Sequence, residues 1–242
     1  MSGLWFFLSC LCITTYYCLL VIVASLAGTR RRPGGVYDQA AREWGRNNIR
    51  ANRLVVTVSG AERIPAGPCV FVANHVSFVD IWVLLASLPG TVRFLAKREL
   101  LHVPIFGWAM RQAGHIPIDR QNRSRALDAC GEAGTQIRNG TSAIVFGEGT
   151  RSRTGQLLPL KKGAFVLAIQ AQVPIVPVFL DGTYAVLPKG TLALKRHPIR
   201  MFVGQPISVE GLRYDDRNRL RERCEKALRG LRDHVDASAA ED

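Results

Sequence analysis

The chain has 242 residues, 48% of them hydrophobic and 21% charged. That composition fits one globular domain with an appendage and excludes global disorder. Lysine and arginine number 32 against 19 aspartates and glutamates, a formal net charge of +13; such a field favours nucleic acid, an acidic membrane surface, an acidic carrier protein or phosphorylated substrates, without choosing among them.

The N-terminus bears on the membrane question. No charged side chain precedes Arg30, and Leu4 to Ala27 is an apolar run of 24 residues. About 20 apolar residues suffice to cross a bilayer core. Arg30-Arg31-Arg32 follow the run, so the positive-inside rule puts the rest of the chain in the cytoplasm. A cleaved signal peptide is disfavoured, because its basic charges should come first. Ser9, Thr14 and Thr15 dilute the run, so a hairpin or interfacial helix that never crosses stays open. Residues 1–32 are therefore expected to be a membrane anchor. Residues 33–53 are expected to be a linker and a polar helix, 36–52, lying along the membrane surface or simply solvated.

From Leu54 onward, strands and helices alternate. Strands are expected at 54–58, 70–73, 92–96, 115–118, 142–146, 175–179 and 199–203. Helices are expected at 79–88, 105–112, 124–138, 159–172 and 215–235. This order predicts an α/β fold: a mixed, largely parallel sheet flanked by helices, with an N-terminal membrane-anchoring helix. The folded domain is expected over 54–236, with 237–242 as a frayed tail.

Polar clusters follow several strand ends, where open α/β sheets bind ligands. His75 and Asp80 lie five residues apart in Asn74-His75-Val76-Ser77-Phe78-Val79-Asp80, at a strand-to-helix turn. A neutral imidazole can take a proton from a hydroxyl, and a carboxylate on its other nitrogen fixes the tautomer. Taken alone, the same spacing also reads as a turn cap and a helix cap. Gly147-Glu148-Gly149-Thr150-Arg151 reads as an anion-binding nest with a planar guanidinium, or as a solvated turn. Lys97 and Arg98 either bind phosphate or face water. Val173 to Val178 reads as an edge strand or a channel wall. The six cysteines form no C-x-x-C pair and no Cys/His cluster, so neither zinc site nor disulfide framework is indicated and a reducing compartment fits. A metal hydrolase on His75, Asp80 and Glu148 has a thin ligand set, with no second histidine at i+2 or i+4. No nucleotide fingerprint is present.

In this order, the clusters resemble the glycerolipid acyltransferase family, specifically its lysophosphatidate acyltransferases. Asn74 to Asp80 matches the NHxxxxD block, and Lys97-Arg98-Glu99-Leu100 matches K-x-E-L. Gly114 to Arg120 matches G-x-x-x-I-D-R, Phe146 to Ser152 matches F-P-E-G-T-R-S, and Val173 to Val178 matches V-P-I-V-P-V. Gly147 stands where the family has proline, which is expected to loosen the loop, and Pro117 stands where an aromatic or aliphatic residue is common.

The resemblance implies that His75 is the base, oriented by Asp80. It also implies that Glu148, Gly149, Thr150 and Arg151 hold the acceptor phosphate, with Lys97 and Arg120 as helpers. The donor would be acyl-CoA or acyl carrier protein and the acceptor lysophosphatidic acid, at an anionic membrane. No cofactor, metal or nucleic acid is implied. A bacterial inner membrane, with the catalytic domain on its cytoplasmic face, is the expected location. A different lysolipid, such as a lyso-aminolipid, is the alternative acceptor. A basic membrane-bound scaffold is the alternative class, but simple anion binding needs no His75, Asp80 or Glu148. Interleaved aromatic residues, as single-stranded nucleic-acid binding uses, are lacking.

Overall fold

The computed structural model describes residues 3–118, 131 and 133–238. The strands are β1 (Val56–Ser59), β2 (Val70–Ala73), β3 (Val92–Lys97), β4 (Ile116–Ile118), β5 (Ser142–Phe146), β6 (Ile175–Asp181) and β7 (Ile199–Val203). The helices are α1 (Gly3–Leu26), α2 (Val36–Ala51), α3 (Val79–Ser87), α4 (Phe106–Ala113), α5 (133–138), α6 (Gly163–Ala171), α7 (Thr183–Val186) and α8 (Arg217–Ser238). The expected helix 124–138 lies partly outside the described residues.

The strands form one seven-stranded sheet in the order β1-β7-β6-β2-β5-β3-β4. Only the β6–β7 pair is antiparallel. Side chains alternate across a strand, and both faces are covered, as parallel strands require. Phe71 and Ala73 of β2 pack with Trp82, Val83 and Leu84 of α3 on one side. Val70 and Val72 pack with Phe165, Leu167, Leu220 and Cys224, from α6 and α8, on the other. The C-terminal ends of β2, β5 and β3 are neighbours along one edge, which brings the polar clusters that follow them together.

Three local expectations change. Val173 to Val178 does not lead an edge strand: β6 lies inside the sheet, between β7 and β2. Pro177 is tolerated because its carbonyl accepts from Gly204 N–H at 2.8 Å, so its missing N–H faces β7 just past the end of that strand. The helix expected from Pro159 begins at Gly163, because Lys161 N–H is drawn to the Gly147 carbonyl at 2.7 Å.

Helix α2 is no freely solvated helix. Its Tyr37, Asp38, Ala40, Trp44 and Asn48 are buried, and it packs against both α1 and α3. Trp44 meets Trp82 edge-on at 6.4 Å. Gly45 lets the helices approach closely, since a Cβ there would lie 2.6 Å from the Trp82 carbonyl oxygen. Asp38 forms a buried ion pair with Arg93 of β3 at 2.6 Å and also accepts from Gly34 N–H and the Thr91 hydroxyl.

Helix α1 is long and apolar enough to cross a membrane, yet one face is packed against α2 and α4 along its length. At one end Trp5 Nε1–H donates to the Ala51 carbonyl at 3.1 Å. Near the other, Ser25 Oγ–H donates to Gln112 Oε1 at 2.8 Å. The opposite face exposes Leu4, Phe7, Leu8, Leu11, Leu19 and Val23. Leu100, Val103, Ile105 and Trp108, near α4, are exposed as well.

Candidate active site

The β2–α3 turn is held from all sides. Asp80, in the first turn of α3, is fully buried. Its Oδ2 faces His75 Nδ1 at 2.8 Å and accepts the Val76 and Ser77 amides, each at 2.8 Å. A carboxylate acceptor on Nδ1 puts the imidazole proton on that nitrogen and leaves Nε2 with a free lone pair. The His75 ring stacks on Phe146, centroids 3.6 Å apart and planes within 9°. Asn74 ties the turn to β6, donating from Nδ2 to the Leu180 carbonyl at 2.9 Å and accepting the Leu180 amide at 2.7 Å. The geometry suits proton abstraction by an oriented, neutral imidazole.

The loop after β5 sits beside this turn because β2 and β5 are paired, Ala73 opposite Phe146. Gly147 does not loosen it. Its N–H donates to Ala73 O at 3.0 Å and its carbonyl accepts from Lys161. Space there is tight as well, since a Cβ would lie 2.9 Å from Leu160. Gly149 has φ +73°, a conformation glycine adopts at little cost. Ser152 N–H donates to the His75 carbonyl at 2.8 Å, closing the loop onto the turn.

Glu148 departs from the expected phosphate set. Its side chain is turned inward, the residue only 2% exposed, and Oε1 accepts the His75 amide at 3.0 Å. Burial pushes its carboxyl up to about 7; backbone hydrogen bonds from His75 and Leu158 oppose the rise, and the nearby Asp80 charge adds to it. A buried carboxyl facing the His75 backbone buttresses the turn, and an anionic carboxylate would repel a phosphate.

Gly149, Thr150, Arg151 and Lys97 line a cavity of about 420 Å³ together with His75. The same cavity is lined by apolar side chains of α1, α2 and α4, among them Cys18, Val21, Ala40, Ala109 and Met110. No sequence pattern marks the N-terminal helix as part of the site. His115 also lines it; its Nδ1 accepts the Phe94 amide at 3.1 Å, and burial, with Arg93 nearby, lowers its pKa to about 3. Lys189 was likewise missed, although it stands in a Pro-Lys-Gly turn of the kind that presents side chains to a cleft. Arg120 lies outside the described residues. Among those residues, no three His, Cys, Asp or Glu side chains gather as metal ligands would.

The acyltransferase family profile matches residues 55–181. A chloroplastic 1-acyl-sn-glycerol-3-phosphate acyltransferase of Brassica napus is 38% identical, over 62% of this chain and 44% of its own length. The corresponding enzyme of Saccharomyces cerevisiae is 37% identical, over 67% of this chain and 54% of its own. The chain thus spans about half the length of the curated relatives it matches. The crystal structure of the 1-acyl-sn-glycerophosphate acyltransferase PlsC from Thermotoga maritima superposes with a TM-score of 0.80 at 28% identity, covering 96% of this chain and 94% of that one. The match spans the strands and turns that carry His75, Asp80 and the Gly147–Arg151 loop, and this chain belongs to the glycerolipid acyltransferase family.

Proposed function

We propose that the protein transfers an acyl group from acyl-CoA or acyl carrier protein to the sn-2 hydroxyl of 1-acyl-glycerol 3-phosphate, giving phosphatidic acid. The observation that carries this reading is the His75–Asp80 pair, whose histidine lines one cavity with Lys97, Arg151 and apolar side chains of α1, α2 and α4. The names of the relatives agree in acceptor. His75 Nε2 takes the proton of the acceptor hydroxyl as its oxygen attacks the thioester carbon. The tetrahedral intermediate collapses, the C–S bond breaks, and the imidazolium returns the proton to the leaving thiolate. Asp80 orients the ring and stabilises the imidazolium. Gly149, Thr150 and Arg151 hold the acceptor phosphate, with Lys97 and Arg120 as helpers, and Glu148 holds the turn in register. The chemistry needs no metal or cofactor.

The exposed apolar face of α1 seats the protein in the membrane, on the cytoplasmic side of a bacterial inner membrane. Because its other face is packed against α2 and α4, α1 works as an embedded wall of the enzyme rather than a detached tether. The test is product analysis. The purified chain is offered lysophosphatidic acid and other lysolipids, each with acyl-CoA and acyl carrier protein. Phosphatidic acid as the main product supports the reading. Acylation of a lyso-aminolipid with none of lysophosphatidic acid refutes the acceptor, and no acylation of any lysolipid refutes the activity.

A further inference from the structure

We infer that Lys189 is a further phosphate-binding cation of the acceptor site, delivered by the turn after α7. The inference rests on the acceptor reading above. Three observations lead to it. The first is placement: Lys189 lines the same cavity as His75 and Arg151. Its Nζ donates to the Arg151 carbonyl at 3.2 Å and reaches the Thr150 hydroxyl at 3.5 Å. The ammonium therefore sits against the two residues proposed to hold the acceptor phosphate.

The second is charge. Lys97, Arg151 and Lys189 are the lysine and arginine side chains among the described lining residues, and no aspartate or glutamate lines the cavity with them. Lys97 is paired with Glu99 at 3.1 Å. Arg151 and Lys189 have no carboxylate within ion-pair distance among the described residues. Cations that line one cavity and have no carboxylate partner among the described residues suit a phosphate monoester, which supplies the counter-charge.

The third is that the turn is anchored to the catalytic turn. Ser77, fully buried between His75 and Asp80 in the sequence, donates from Oγ to the Leu187 carbonyl at 2.8 Å. Ser77 and Pro188 also form an isolated β-bridge. Gly190, with φ +94°, closes the turn, and Thr191 N–H donates to the Pro188 carbonyl. Lys189 is thus held in register with His75, as a binding group for the substrate's charged end must be.

The test uses the full chain with Lys189→Met, which keeps the stem and removes the charge, and Lys189→Arg. Two readouts are taken: steady-state kinetics with acceptor and donor varied separately, and direct binding of glycerol 3-phosphate by titration calorimetry. Loss of one charged hydrogen bond should raise the acceptor KM and weaken glycerol 3-phosphate binding about tenfold in Lys189→Met. Donor KM should hold, and Lys189→Arg should recover most of the loss. A purely structural clamp on the Arg151 loop would instead lower kcat and leave glycerol 3-phosphate binding unchanged. Wild-type glycerol 3-phosphate binding in Lys189→Met, or a rise confined to donor KM, would overturn the assignment. If the wild type binds glycerol 3-phosphate through Lys189 but does not acylate lysophosphatidic acid, the phosphate site stands and the acceptor reading fails.

Discussion

Replacing Glu148 by glutamine tests the reasoning about the buried turn through stability alone. Burial lifts the carboxyl from an ordinary 4.5 to about 7, so the folded protein resists its ionisation. The unfolded chain loses this proton near pH 4.5, whereas the folded chain keeps it to near 7. Between those values the folded state binds more protons, so stability falls as pH rises. Below about pH 4.5 both states are protonated and the effect vanishes; above 7 it is fully developed. A rise of about 2.5 pH units corresponds to roughly 3 kcal/mol at 1.36 kcal/mol per unit. Glutamine keeps an oxygen for the His75 amide, which Oε1 accepts at 3.0 Å, and never ionises. Glu148→Gln should therefore match the wild type near pH 4 and exceed it at pH 9 by roughly 3 kcal/mol. That is a melting shift of about 6–12 °C for a domain of this size. The assay is unfolding of both proteins in one detergent from pH 4 to 9. A variant no more stable than the wild type at pH 9 would refute the claim that burial dominates at this carboxyl.

His75→Ala should lower kcat by about 10²–10⁴-fold in a variant that still folds; wild-type turnover in a folded variant would remove the proposed base. Arg93→Ala strands the Asp38 carboxylate, buried beside it at 2.6 Å, and should cost roughly 3–5 kcal/mol. Arg229→Ala, which breaks a pair in which Arg229 is half exposed, should cost under about 1 kcal/mol; denaturant titration separates the two. Activity should survive exhaustive EDTA treatment, and loss restored by zinc or manganese would favour a metal hydrolase. Removing residues 1–32 should abolish turnover even of a short-chain, water-soluble acceptor, because Thr14, Tyr17, Cys18 and Val21 line the cavity; full activity in solution would make α1 a tether only.

Much of the fold was legible because hydrophobic periodicity and Gly/Pro punctuation agree along the chain. β2, β5 and β7 begin and end where the pattern predicts. His75 and Asp80 could be paired from spacing because a strand-to-helix turn leaves few ways to arrange them. What stayed hidden depends on contacts distant in sequence. Glu148 reads as a ligand for substrate until its carboxyl is seen to turn toward the amide of His75, 73 residues earlier. Gly147 reads as slack until both its backbone groups are seen to be bonded. α1 reads as separable because apolar composition alone cannot distinguish a face that meets lipid from one that meets protein. Lys189 belongs to no signature and joins the site through Ser77, 110 residues away from Leu187.

On the proposed function, the two faces of α1 would tie acyl-chain selectivity to the surrounding membrane. Cys18 and Val21 border the cavity, while Leu19 and Val23, one or two residues along, face outward. A helix is a stiff rod, so lateral pressure or thickness changes sensed by the outer residues shift the inner ones with them. Activity and chain-length preference should then vary with the host lipid even at constant substrate, without any regulatory ligand. Neighbouring codons also offer independent routes to adaptation. Changes at positions 19 and 23 would retune the fit to a colder or thicker membrane. Changes at 18 and 21 would retune which acyl chains are stored in it.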